Sequence, residues 1–120
     1  MTTFLPLRVT WVVRQGADFD INYVWSSGSP AQAVDMGGWE WQLQARSRPS
    51  SALLVDWSSD DDDPVVTLGV HGTVGVHVDG TVTAGWSWGQ AVADLDLLDG
   101  ERIVPFLRAD IVVVPAVVHV

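Results

Sequence analysis

Val65–Val120 reads VVTLGVHGTVGVHVDGTVTAGWSWGQAVADLDLLDGERIVPFLRADIVVVPAVVHV, one short apolar run after another, punctuated at Asp79-Gly80 and Asp99-Gly100. Asp-Gly between two such runs is a strong hairpin signal, because both central residues of a type I′ turn need φ > 0. The spacing predicts strands over Val65–Val70, Thr73–Val78, Thr81–Ala84, Val92–Leu98, Arg102–Leu107 and Ile111–Val118. Many short strands with turn signals between them point to a sandwich or barrel, and not to a parallel α/β sheet.

The N-terminal half repeats the pattern. Phe19, Ile21, Tyr23 and Trp25 alternate with Asp18, Asp20 and Asn22, the period of a half-buried strand. With the imperfect alternation of Leu7–Arg14 before the Gln15-Gly16-Ala17 break, this predicts a first hairpin. Ser26–Gly38 is a long connection, too polar and broken for a helix. Trp39, Trp41, Leu43 and Ala45 then face one way while Glu40, Gln42, Gln44 and Arg46 face the other. Helical geometry would set those two tryptophans about 200° apart, so a strand is the better reading. Arg48-Pro49-Ser50 turns the chain into Ala52–Trp57, and Ser58–Pro64 is a loop. The fold class expected is all-β, an antiparallel β-sandwich of about 8–10 short strands in a single domain spanning residues 1–120.

At 120 residues and 13.0 kDa, with 48% hydrophobic content, the chain is long enough to bury roughly two-thirds of its unfolded surface. No run of 18 apolar residues predicts a membrane-spanning helix, and MTTFLPLRVT lacks the layout of a secretory signal. There is no cysteine, hence no disulfide framework and no thiolate chemistry. Fifteen acidic residues against six arginines, without a lysine, give a net charge of −9. That surface repels phosphate backbones, which argues against a nucleic-acid partner.

Candidate sites compete with plainer explanations. Asp60–Asp63 clusters carboxylates that a hard cation would accept, yet four consecutive aspartates match neither the alternating ligands nor the mid-loop glycine of an EF-hand, so a solvated turn is expected. His71, His77 and Asp79 offer metal ligands, but strand residues six apart lie about 20 Å from each other unless Gly72 turns the chain. His119 stands next to the last residue and reads as exposed. Asp94 and Asp96 are a carboxylate pair about 7 Å apart on one strand face, a separation a glycosidase uses and an outward polar face also produces. No glycine-flanked serine precedes a helix. The expectation is therefore a non-enzyme without cofactor or metal.

Pro105 cannot donate to a ladder, so its strand is at an edge or bulged there. Around Asp99-Gly100 two registers compete: one places Leu95 opposite Val104 and Ala93 opposite Phe106, the other Asp96 opposite Arg102. Of seven tryptophans, Trp11, Trp25, Trp39, Trp41 and Trp57 fall at inward strand positions. Trp86 and Trp88 flank Ser87 between strands, where they suit a protein–protein anchor, a carbohydrate platform or plain packing over the sandwich end.

The order of these signals carries a resemblance. Gly16-Ala17-Asp18-Phe19 follows an N-terminal strand, Gly28-Ser29-Pro30 follows Trp25, and a strand ends at Arg46. Asp79-Gly80-Thr81-Val82-Thr83, the tryptophan segment, Ala93-Asp94-Leu95-Asp96-Leu97, Asp99-Gly100 and a valine-rich last strand then close the series. Over nearly its whole length the chain resembles the LtfC-like β-sandwich domain of bacteriophage tail proteins, similar in pattern to the N-terminal domain of siphophage upper baseplate proteins. The resemblance implies a virion structural component, made in the bacterial cytoplasm and built into a minor tail, baseplate or fibre-adaptor position. Its expected partners are other virion proteins and further copies of itself in a symmetric oligomer, with no membrane or nucleic acid. Because the sequence ends soon after its last strand, an adaptor role is expected over receptor binding. Contacts are expected at Trp86 and Trp88 and at the edge strands holding Pro105, Ile111, Val113 and Val118, which could pair with a neighbour. The alternatives are a capsid decoration protein of the same particle, a carbohydrate-binding β-sandwich module and a hydrolase using Asp94 and Asp96.

Overall fold

Alternation decides which side chains reach the core, and pairing decides which strands bring them there. The computed structural model describes residues 6–28, 30–47, 52–61 and 65–115. Along these run β1 (Leu7–Arg14), β2 (Phe19–Val24), the two-residue β3 (Ser26–Ser27) and β4 (Gln32–Ala33), β5 (Glu40–Arg46) and β6 (Leu53–Ser58). There follow β7 (Val66–Leu68), β8 (Thr73–Val78), the short helix α1 (Gly80–Thr83), β9 (Gln90–Asp99) and β10 (Arg102–Val114). A five-stranded sheet in the order β1-β10-β9-β5-β6 covers a three-stranded one in the order β2-β8-β7, and β3 pairs with β4. The all-β expectation holds, with one exception to its antiparallel rule: β1 and β10 run parallel, from Leu7↔Leu107 to Arg14↔Val114. No helix among the described residues is long and apolar enough to cross a membrane.

The core lies between the sheets. Trp41, Leu43 and Ala45 from β5, and Ala91, Ala93, Leu95 and Leu97 from β9, all point inward. Against them stand Val74, Val76 and Val78 from the smaller sheet. Each large aliphatic side chain buried this way contributes about 1.5–3 kcal/mol. Aromatic rings bridge the layers: Trp11 meets Phe19 at 5.4 Å between centroids, and Phe106 lies 5.8 Å from Trp25 and 6.1 Å from Tyr23. Trp11 and Tyr23 also share a hydrogen bond, indole N–H to phenol oxygen, at 2.9 Å.

Four expectations are corrected. First, β1 and β2 form no hairpin: they enter different sheets and touch through side chains. The link between them is instead clamped to α1 by the buried Thr83 hydroxyl, which accepts from Gly16 N–H at 3.0 Å and donates to Ala17 C=O at 2.8 Å. Second, Thr81–Ala84 is no strand after an Asp79-Gly80 turn. Gly80 donates its N–H to Asp18 and the chain coils into α1, because that brings Thr83 onto the clamp. Third, Arg102–Leu107 and Ile111–Val118 are not separate strands: one strand runs from Arg102 to Val114. Fourth, neither hairpin register is adopted. Arg102 faces Asp99 and Val104 faces Leu97 across a Gly100-Glu101 loop in which Gly100 alone has positive φ, the pattern of a type II′ turn.

Pro105 does mark a bulge, between Pro105 and Leu107, in the stretch of β10 that precedes its pairing with β1. Alternation breaks there, so the consecutive residues Phe106 and Leu107 are both buried, at 1% exposure each. The connection Ser26–Gly38 also delivers a core residue: Met36 is fully buried, its N–H donated to Gly69 C=O at 3.3 Å.

Candidate functional site

Of the expected contact residues, Trp86 and Trp88 are half-buried and pack on the core. Trp57, at the β6 edge, stacks on Trp86 at 6.2 Å, and Trp86 stacks on Trp88 at 4.8 Å with 30° between their planes. The segment is tethered: Gln15 donates its side-chain amide to the carbonyls of Ala84 and Trp86. Stacking occupies the ring faces between these neighbours, which makes the segment a poor platform for a run of sugars. The apolar cavity that Trp86 shares with Trp11, Phe19 and Trp57 holds about 10 Å³, room for roughly one water.

The C-terminal contact residues move to a different role. Ile111 and Val113 are 4% and 8% exposed, and their strand is flanked by β1 on one side and β9 on the other. From Leu107 to Val114 the ladder groups of this strand are already used by β1, so Ile111 and Val113 are not at an edge. Pro105 is exposed, on the stretch of β10 before its pairing with β1 begins at Leu107, and Val118 lies outside the described residues.

Asp94 and Asp96 sit on the outer face of β9. Asp94 accepts a two-pronged bond from Arg108, at 2.9 and 3.3 Å. Burial, and then the charge of Asp94, hold the Asp96 carboxyl above its ordinary value. Both border a shallow depression of about 340 Å³ with Arg8, Arg108 and Pro105. In the Asp60–Asp63 run, Asp61 accepts the Ser58 N–H at 2.9 Å, and Asp62 and Asp63 lie outside the described residues, as does His119.

Gly72 does turn the chain, but His77 finds aspartates and not His71. Register sets it opposite Asp20. Its Nδ1 meets Asp20, and its Nε2 lies 2.8 Å from Asp79 Oδ1. One ligand atom each from Asp18, His77 and Asp79 falls within 4.8 Å of the others, so a cation could replace the proton there. The Asp20 bond first, and the Asp79 bond second, raise His77 from 6.5 to about 9. A folded-state value above the unfolded one means stabilisation that is complete below pH 6.5 and fades as pH rises through about 9. Denaturation midpoints of the parent are therefore expected to fall between pH 6.5 and 9 relative to those of His77→Gln; parallel profiles would refute the pairing.

The sheet edges remain. β7 is three residues long, β2 carries Asp20 and Asn22 outward, and β6 is itself bulged, with Leu54 left over between the paired Leu53 and Val55. By contrast β1 runs eight residues in unbroken register, and the chain holds no acidic residue before Asp18. Its outward side chains are Arg8, Thr10, Val12 and Arg14, with Val12 61% exposed. Sequence reading missed this edge, because alternation shows which face is wet and not which strand is outermost. The acid-free N-terminal stretch was the available signal. No family model matches this sequence, and no curated protein matches it.

Proposed function

We propose that this chain is a non-enzymatic structural protein of a bacteriophage particle, a minor tail, baseplate or fibre-adaptor component that assembles through protein–protein contacts. The order of turn and strand motifs that resembles the LtfC-like tail domain supports the phage setting. The all-β sandwich agrees with that resemblance. One observation carries the assembly reading: β1 is a long, regular edge strand with its outer ladder unpaired among the described residues. Such an edge is a template for another chain, and natural proteins blunt those they do not use. The other edges carry such blunting; β1 has only its terminal arginines. Of the carboxylate pair Asp94 and Asp96, Asp94 is taken up by Arg108. A capsid decoration role would use the same contacts at another place on the particle.

Immunogold electron microscopy of purified particles from the lysate encoding this chain tests the reading. Gold at the tail tip or baseplate is the expected result, and gold on the head would favour decoration. Particles free of the chain, by labelling and by mass spectrometry, would defeat both.

A further inference from the structure

The partner class for β1 can be read from the charge rows that cross the large sheet, and this step rests on the assembly reading above. Paired positions form one continuous row over all five strands: Asp56 beside Gln44, Gln44 beside Asp94, Asp94 beside Arg108, Arg108 beside Arg8. Each internal step but the last is complementary. Gln44 donates to Asp56 at 3.2 Å, and Arg108 clasps Asp94. The row then ends with two arginines side by side, a like-charge pair that disfavours the sheet as it stands. Neither Arg8 nor Arg14 has a carboxylate partner among the described residues.

The geometry points to an extended acidic segment of another protein as the occupant of the β1 edge, added as a sixth strand with carboxylates beside Arg8 and Arg14. The row asks for a negative charge at the position following Arg8. The two arginines are six positions apart on the strand, about 20 Å, so the acidic side chains are six apart and share one face. Between them the partner presents an apolar side chain to the exposed Val12 and a small polar one to Thr10. Backbone hydrogen bonds supply the affinity and the charges set the register. Antiparallel addition is the more stable per residue. A second copy is a poor occupant of this edge, since antiparallel β1–β1 pairing centred on Trp11 sets Arg8 against Arg14.

The test uses the whole chain and two capped strand peptides, one with aspartates spaced to meet Arg8 and Arg14, the other with lysines in their place. Amide shifts on titration report the site. The aspartate peptide is expected to shift β1 and β10 amides and to bind at least about tenfold tighter than the lysine peptide at low salt. Arg8→Glu with Arg14→Glu is expected to reverse that preference, a gain of binding that unfolding cannot imitate. Equal binding of both peptides, no binding of either, or a salt-independent dimer formed through β1 would overturn the proposal. Particle incorporation without peptide selectivity would remove the acidic partner and leave the assembly reading. Selective binding with particles free of the chain would do the reverse.

Discussion

Phe106→Ala is expected to be the most damaging single substitution, costing about 3–5 kcal/mol. Phe106 is the largest of the fully buried side chains, in ring contact with Trp25 and Tyr23 from the opposite layer. It reaches that position only because the bulge after Pro105 turns two consecutive residues inward. Removing the ring loses its transfer energy and leaves a cavity walled by aromatics that cannot close over it. Urea unfolding should show a lower midpoint at an unchanged slope. Phe106→Leu keeps much of the volume and is expected to cost markedly less. A loss below about 1 kcal/mol for the alanine variant would mean that Phe106 does not fill the space between the sheets.

Gly72→Ala is expected to cost about 3 kcal/mol, lowering the thermal midpoint by on the order of 10 °C. Two effects add. The β7–β8 turn holds Gly72 at φ +80°, where a side chain is strained. A Cβ there would also run into the carbonyl of Trp25, and the Val34 nitrogen stands only 3.3 Å away. Yielding would disturb the 2.7 Å bond from Trp25 N–H to Gly72 C=O that ties β2 to the turn. Gly100→Ala separates the two effects, because Gly100 has φ +62° but open space where its Cβ would go. It should cost only about 1 kcal/mol, the backbone part alone. Equal losses at the two glycines would contradict the close approach.

Much of the architecture was legible in the side-chain pattern. Trp41, Leu43 and Ala45 alternate with Gln42, Gln44 and Arg46, and they face in and out as period two requires. Pro105 signalled a break in its ladder, and a break is there. What misled was punctuation. Asp79-Gly80 and Asp99-Gly100 both suit a type I′ turn, yet one opens a helical turn and the other lies one residue before the loop it helps to make. Local turn propensity is worth little against a buried hydroxyl such as that of Thr83, or against the inward set of β9.

For the candidate site the reverse holds. Arg8 and Arg14 were visible as charges but had no meaning until their strand was known to be outermost, and Ile111 and Val113 lost theirs once their strand was known to be interior. By itself the sequence determined that this protein is built of strands, which side chains a regularly alternating strand such as β5 would bury, and that its surface is acidic. Those properties follow from residues two apart and from composition. Only the tertiary structure decided which strands are neighbours, and so where the edge, the bulge and the unanswered arginines fall. Strand order arises from pairings between residues as far apart as Leu7 and Leu107, and period two is blind to it, because every strand of a sandwich carries the same alternation whether it lies in the middle of its sheet or at its rim.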